Sequence, residues 1–209
     1  MRKSFLISPF LIGIAVAFLM AGCNSNKTKE ATIVSEDGKT KVTIDQDAMT
    51  NMSQTGDEMT KKMEALKKLP PLSLDQLKAL LPEELAGMKR SSFNANSAMG
   101  FAIGEATYKG AEDDKELKLV IWDCAGEAGS SFYGLNYWSQ FSVQSESDDG
   151  YTKSVPFNGG KAIESYKKGQ NEHALMFTSG DRLLVNIEGE NTGMDVVRQA
   201  AQSLNLKTN

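Results

Sequence analysis

From Gly87 onward, runs of alternating apolar and polar residues are separated by very short glycine-bearing turns, and this spacing limits what the 209-residue chain can fold into. The turns hold Asn158-Gly159-Gly160, Gly169 and Gly180-Asp181. A parallel pair of strands needs a crossover of about a dozen residues, so neighbours joined this closely must run antiparallel. The pattern predicts strands at 88–93, 100–108 and 116–123, a helix at 126–141, and further strands at 151–156, 162–167, 173–178 and 182–188. A last helix at 192–206 carries Val196, Val197, Ala200, Ala201 and Leu204 on one side. The expected product is an α+β domain, a mostly antiparallel sheet of six to seven strands with helices packed on one face. Within it, Leu183, Val185 and Ile187 alternate with Leu184, Asn186 and Glu188, as a half-buried strand should.

Upstream of this domain the chain changes character twice. Residues 24–52 are polar, and their best local feature is Thr32-Ile33-Val34 and Lys41-Val42-Thr43-Ile44 around Asp37-Gly38, a hairpin signal. Two short strands alone are marginal in water, so the hairpin either docks on the main domain or belongs to a stalk, and the stalk is the expectation. A helix is predicted at 49–69, with Met52, Met59, Met63 and Leu66 on one face and Lys61, Lys62, Lys67 and Lys68 elsewhere. Pro70-Pro71 ends it. Ser73 with Gln76 three residues later is a capping-box signal for a second helix at 74–81, striped by Leu74, Leu77, Leu80 and Leu81. The expected organisation is 1–22, 23–52, 53–86 and 87–209: signal, anchored stalk, amphipathic helices and α+β domain.

The first segment rests on a resemblance. Arg2 and Lys3 precede an apolar run at 5–20 that stops at Ala21-Gly22-Cys23, which resembles a bacterial lipoprotein signal, with Met20 standing where that pattern usually has Leu. The resemblance implies cleavage before Cys23, acylation of that cysteine, and attachment to a membrane through its lipid. It further implies a bacterial cell envelope location; Asn24 after the anchor is compatible with outer-membrane sorting and a domain facing the periplasm in a Gram-negative cell. An uncleaved signal anchor is the competing reading, since 5–22 approaches the roughly 20 apolar residues of a membrane helix. Pro9 and the polar continuation at Asn24 argue against it.

Several blocks of the main domain also resemble a bacterial envelope family. They are Leu81-Pro82 through Gly87 and Arg90, Met99-Gly100 leading to Ala106-Thr107-Tyr108, Ile121-Trp122-Asp123, Gly150-Tyr151, and Asp181-Arg182 before a strand and helix. The family brings no activity and no catalytic residues. The resemblance implies a single domain over 72–206.

Composition excludes some chemistry. Without Arg2 and Lys3 the 23 basic residues fall to 21 against 27 acidic ones, a formal charge of −6, which speaks against nucleic-acid binding. His173 is the only histidine, so triads and multi-histidine metal sites would have to be built around one strand residue, and a structural role is expected for it. Gly126-Glu127-Ala128-Gly129 opens a helix and is no phosphate loop. Glu112-Asp113-Asp114 and Glu146 with Asp148-Asp149 lack the ligand spacing of a calcium loop. Met49 with Met52, and Met59 with Met63, are read as an adaptable packing face and not as a Cu(I) site. No cofactor is called for.

Two features stay open. Cys124 falls where a strand should meet a helix N-terminus, a position that lowers thiol pKa, although Asp123 and Glu127 oppose it; a buried structural thiol is expected. Trp122, Tyr133, Tyr137, Trp138 and Phe141 are either core aromatics or the lining of an apolar pocket. Three classes of function follow: a non-catalytic lipoprotein that binds another envelope protein, a carrier or sensor of an apolar ligand, and an enzyme using Cys124. The first is preferred.

Overall fold

A computed structural model describes residues 30–34, 41–45, 52–98, 100–111, 114–136 and 142–208. The signal segment, Cys23, Met49, Tyr137, Trp138 and Phe141 lie outside the described residues. The chain runs β1 (Glu30–Val34), β2 (Lys41–Asp45), α1 (Met52–Lys67), α2 (Leu74–Ala79), β3 (Glu84–Leu85), β4 (Met88–Ala98), β5 (Phe101–Lys109) and β6 (Glu116–Asp123). It continues through α3 (Gly126–Asn136), β7 (Val143–Ser147), β8 (Gly150–Phe157), β9 (Gly160–Lys167), β10 (Glu172–Ser179), β11 (Leu183–Glu190) and α4 (Met194–Ser203).

All pairings are antiparallel, in the order β1-β2-β7-β8-β9-β10-β11-β6-β5-β4-β3. The expected α+β class and antiparallel sheet hold. The expected six to seven strands do not: nine lie from Glu84 onward and the leader hairpin adds two. The hairpin strands themselves were expected, whereas β3, β7 and the docking of the hairpin were not legible, for physical reasons. β7, Val-Gln-Ser-Glu-Ser, has no apolar alternation and is held by its neighbours β2 and β8. The hairpin expected in a stalk extends the sheet, with Val42 opposite Ser145 and Ile44 opposite Val143.

Cross-strand register assigns the faces. Ala102, Ala106 and Tyr108 of β5 share one face with Leu117, Leu119 and Ile121 of β6 and with Leu183, Val185 and Ile187 of β11. These residues pack with Leu77, Leu80 and Leu81 around α2 and with Val197, Ala200 and Ala201 of α4. Ser73 caps α2 through the expected reciprocal bonds with Gln76, while Leu74 of the predicted stripe points outward. On the opposite face, Leu66 of α1 and Phe132 and Tyr133 of α3 pack with Trp122, Leu184 and Met176. Helices therefore cover both faces, not the one expected. Trp122 and Leu184, directly paired across β6 and β11, create a second apolar patch that has to be covered. The half-buried reading of β11 fails for the same reason, since Leu184 and Asn186 are buried together with Leu183, Val185 and Ile187.

Gly129 shows how closely α3 sits on the end of β6. A Cβ there would lie 2.6 Å from the Cys124 carbonyl carbon and 2.8 Å from the Asp123 carbonyl oxygen, both backbone atoms that cannot swing aside. By contrast, nothing lies within 4 Å of a Cβ built on Gly56 in α1. Gly129→Ala should lower unfolding free energy by about 1–3 kcal/mol through overpacking. Gly56→Ala should raise it by up to about 1 kcal/mol through helix propensity. Urea denaturation of the two variants checks the opposed signs.

Candidate functional site

Three side-chain constellations and one strand edge stand out, and each has to be judged by what its groups still have free. The first surrounds Cys124. β6 ends at Asp123 and α3 begins at Gly126, so the cysteine occupies the strand-to-helix junction as the sequence predicts. It is fully buried, beside Leu66 and Leu184. Burial, then the Asp123 carboxylate, pushes the thiol up to about 12, against the opposing pull of a backbone hydrogen bond at Leu184 and the charge of Arg182. The effect of the helix N-terminus is overwhelmed, and the group stays a thiol at neutral pH.

Trp122 and Tyr133 of the five aromatic candidates come together in this same cluster. The Trp122 ring lies 5.6 Å from Phe132, and Phe132 lies 5.4 Å from Phe101 in an edge-on contact. These rings fill one another's space. Tyr137, Trp138 and Phe141 lie outside the described residues. Phe101 and Phe132 were not singled out from sequence, because their partnership depends on β5 and α3 meeting across β6.

The second constellation is Asp123 with Arg182. Arg182 Nε donates to Asp123 Oδ1 at 2.8 Å and Nη2 to Oδ2 at 2.7 Å, a two-pronged ion pair with Asp123 fully buried. The Ala125 N–H donates to Oδ1 at 3.1 Å and the Leu72 N–H to Oδ2 at 2.7 Å. Arg182 Nη2 also donates to the Pro70 carbonyl at 2.9 Å. Both carboxylate oxygens are thus consumed in joining β6, the start of β11, the 70–72 linker and the first turn of α3. This group is structural.

The third is Glu164 of β9, buried on the α4 face. It accepts from Tyr151 Oη at 3.0 Å, Lys153 Nζ at 3.1 Å and Arg198 Nε at 3.1 Å, with Arg198 Nη2 on the same oxygen as Nε. Burial alone would raise the carboxyl, but the hydrogen bonds from Arg198, Lys153 and Tyr151 outweigh it and hold it below its ordinary value of 4.5. Next to it, Tyr166 stacks on His173 at 4.4 Å between centroids. His173 Nδ1 is buried with no hydrogen-bond partner. That placement fits the structural role expected for the lone histidine.

Among the described residues no group of three or more His, Cys, Asp or Glu side chains gathers around one point. Met63 packs against Gly134 of α3, which gives the methionine face of α1 a partner within the fold. Glu146, Asp148 and Asp149 are exposed at the β7–β8 turn.

The strand edge is of another kind. β4 pairs with β5 along its length but with β3 only through Lys89 and Met88. The Arg90 N–H is taken by the Glu83 carbonyl at 2.9 Å, and a bulge falls between Arg90 and Ser92. Beyond it, among the described residues, no strand covers the outer side of Ser92–Ala98. Phe93 there is 48% exposed, with the Arg90 guanidinium 4.8 Å from its ring centre. The sequence predicts β4 but not its exposure, since an edge is defined by strand order.

Two outcomes follow from the buried groups. A maleimide should leave Cys124 unmodified in the folded protein and label it in denaturant, read by mass shift. For Glu164 the folded-state pKa is depressed, so its contribution to stability is complete above 4.5 and is lost as pH falls through the lower folded value. The Tm difference between the parent protein and Glu164→Gln should therefore be steady at neutral pH and shrink as pH falls from 4.5 through the lower folded value. Comparison of the chain with protein-family models, with curated proteins and with solved structures finds no match in any of the three, so function has to be read from this geometry.

Proposed function

We propose that this chain is a lipoprotein of the bacterial cell envelope, held by a lipid on Cys23, whose α+β domain acts by binding another protein and not by catalysis. In a Gram-negative cell it would sit on the outer membrane and face the periplasm. The observation that carries the binding reading is the outer edge of Ser92–Ala98, where no described strand takes the backbone donors and acceptors and Phe93 is half-exposed. Such edges are normally blunted by charge, proline or cover, because they template pairing with another chain. Here Ser92-Phe93-Asn94-Ala95-Asn96-Ser97-Ala98 has neither charge nor proline. A segment that adds a strand gains main-chain hydrogen bonds along its length, a known mode of protein recognition.

The other groups support this reading by being committed elsewhere. The Cys124 thiol is sealed and protonated, and Asp123, Arg182 and Glu164 are spent on holding elements together. The apolar-carrier reading draws on Trp122 and Tyr133, whose cluster is occupied by neighbouring rings and by Leu66 and Leu184.

Two measurements test the two halves of the proposal. Metabolic labelling with an alkyne fatty acid should mark the parent protein and not Cys23→Ser, and Cys23→Ser should leave the membrane fraction; equal labelling of both would overturn the anchor. In intact envelopes, a photo-crosslinking residue at Phe93 should give a discrete protein adduct, whereas the same residue at exposed Asp75 on α2 should not. Absence of any adduct at 93, together with a lipid retained beyond the covalent anchor in native mass spectrometry, would favour the carrier.

A further inference from the structure

We infer that the occupant of the β4 edge is a second copy of this chain, paired antiparallel through Ser92–Asn96 about a two-fold axis at Asn94. The inference rests on the protein-binding reading above and specifies its partner. An axis normal to the sheet keeps like faces together, so residues whose numbers sum to 188 stand opposite one another. Phe93 then lies beside Ala95 of the other copy, and Ser92 beside Asn96. The one large side chain of the edge meets a small one, and this contact covers the half-exposed ring on both copies. Asn94 meets itself at the axis, where two amides can exchange hydrogen bonds.

Charge permits this pairing and disfavours several others. The chain is acidic overall, at −4, yet the open edge carries no charge, so two copies meet there without like-charge opposition. The cations of β4 are Lys89 and Arg90, at one end of the strand, and the antiparallel arrangement sends them to opposite ends of the joint strand pair. The far edge of the sheet, β1, is the end from which the leader departs, so pairing through β4 leaves it clear.

Magnitude decides where the dimer should form. Five residues at about 3.4 Å each give a strand pair roughly 17 Å long, which on a sheet about 10 Å thick covers on the order of 350 Å² over both copies. That falls short of the roughly 1,000 Å² of buried surface expected of a stable interface, so the pairing should be weak in dilute solution. Confinement to a membrane raises the effective concentration of one copy around another without any new contact. The dimer therefore belongs to the anchored protein.

The test is a cysteine scan of Ser92 to Ala98 in the full-length chain in its own membrane, oxidised briefly and read by mass. Residues directly opposite in an antiparallel pair have Cα atoms about 4.5–5.5 Å apart, within disulfide reach, whereas residues displaced by two positions on each strand do not. Asn94→Cys should give a homodimer far more efficiently than Ser92→Cys or Ala98→Cys, and Asp75→Cys should give none. Adding Asn96→Lys to Asn94→Cys puts a charge on the edge of both copies and should reduce the crosslinked dimer at least several-fold, with the monomer's thermal transition unchanged. No homodimer at any position, while photo-crosslinking at Phe93 captures a different protein, overturns the second copy and leaves the protein-binding reading standing. No homodimer and no adduct at Phe93 overturns both. Equal crosslinking at every position from 92 to 98 overturns the register and the paired strand with it.

Discussion

The ion pair between Asp123 and Arg182 is the contact on which the rest of this structure depends. β6 and β11 are central neighbours in the sheet, and Asp123 stands directly opposite Leu183, one residue from the arginine. A carboxylate this deeply buried is tolerable only because every lone pair finds a donor: two arms of the guanidinium and the amides of Leu72 and Ala125. One charged pair thereby sets where the sheet ends, where the linker from α2 enters and where α3 starts. It also closes the space around Cys124, whose own amide donates to the Arg182 carbonyl at 2.8 Å. A buried pair of this kind adds little net stability over an apolar replacement, but removing one partner strands the other.

Glu164 plays the corresponding part further along the same face of the sheet. It points inward from β9 among apolar neighbours and is reached by Arg198 from α4 and by Lys153 and Tyr151 from β8. Helix, strand and neighbouring strand are held in one register by a charge that has no alternative position. Both groups bear on function by subtraction. They take up buried carboxylates that might otherwise have served chemistry, and they stiffen a sheet of which Ser92–Ala98 of β4 is one open edge among the described residues.

Local interactions account for most of what could be read from the sequence. Ser73 and Gln76 cap α2 as expected because a capping box needs only four consecutive residues. The 116–123 strand is found with the expected bounds, and the strands at 150–157, 160–167 and 172–179 fall within two residues of expectation, because glycine turns and period-two alternation are also local. β7 escaped notice because its polar sequence carries no such signal. The assignment of α3 to the same face as α4 failed because a helix stripe says that a face is buried, not against which side of a sheet. Among site residues, the junction position and burial of Cys124 were legible, while Asp123, Arg182 and Glu164 were not recognised as partners, since 59 and 34 residues separate each anion from its arginine.

The amino-acid sequence by itself determined the antiparallel character of the sheet, the helix boundaries near Pro70-Pro71 and Ser73, and the buried side of the last helix, because turn length, capping and helical spacing act between residues close in the chain. Only the tertiary structure decided the order of the strands. With that order came the second covered face, the sealing of Cys124 by Asp123 and Arg182, the docking of the leader hairpin on β7 and the exposure of Ser92–Ala98. Strand order is set by which apolar surfaces and which buried charges find partners across long stretches of chain, and no local pattern encodes that competition.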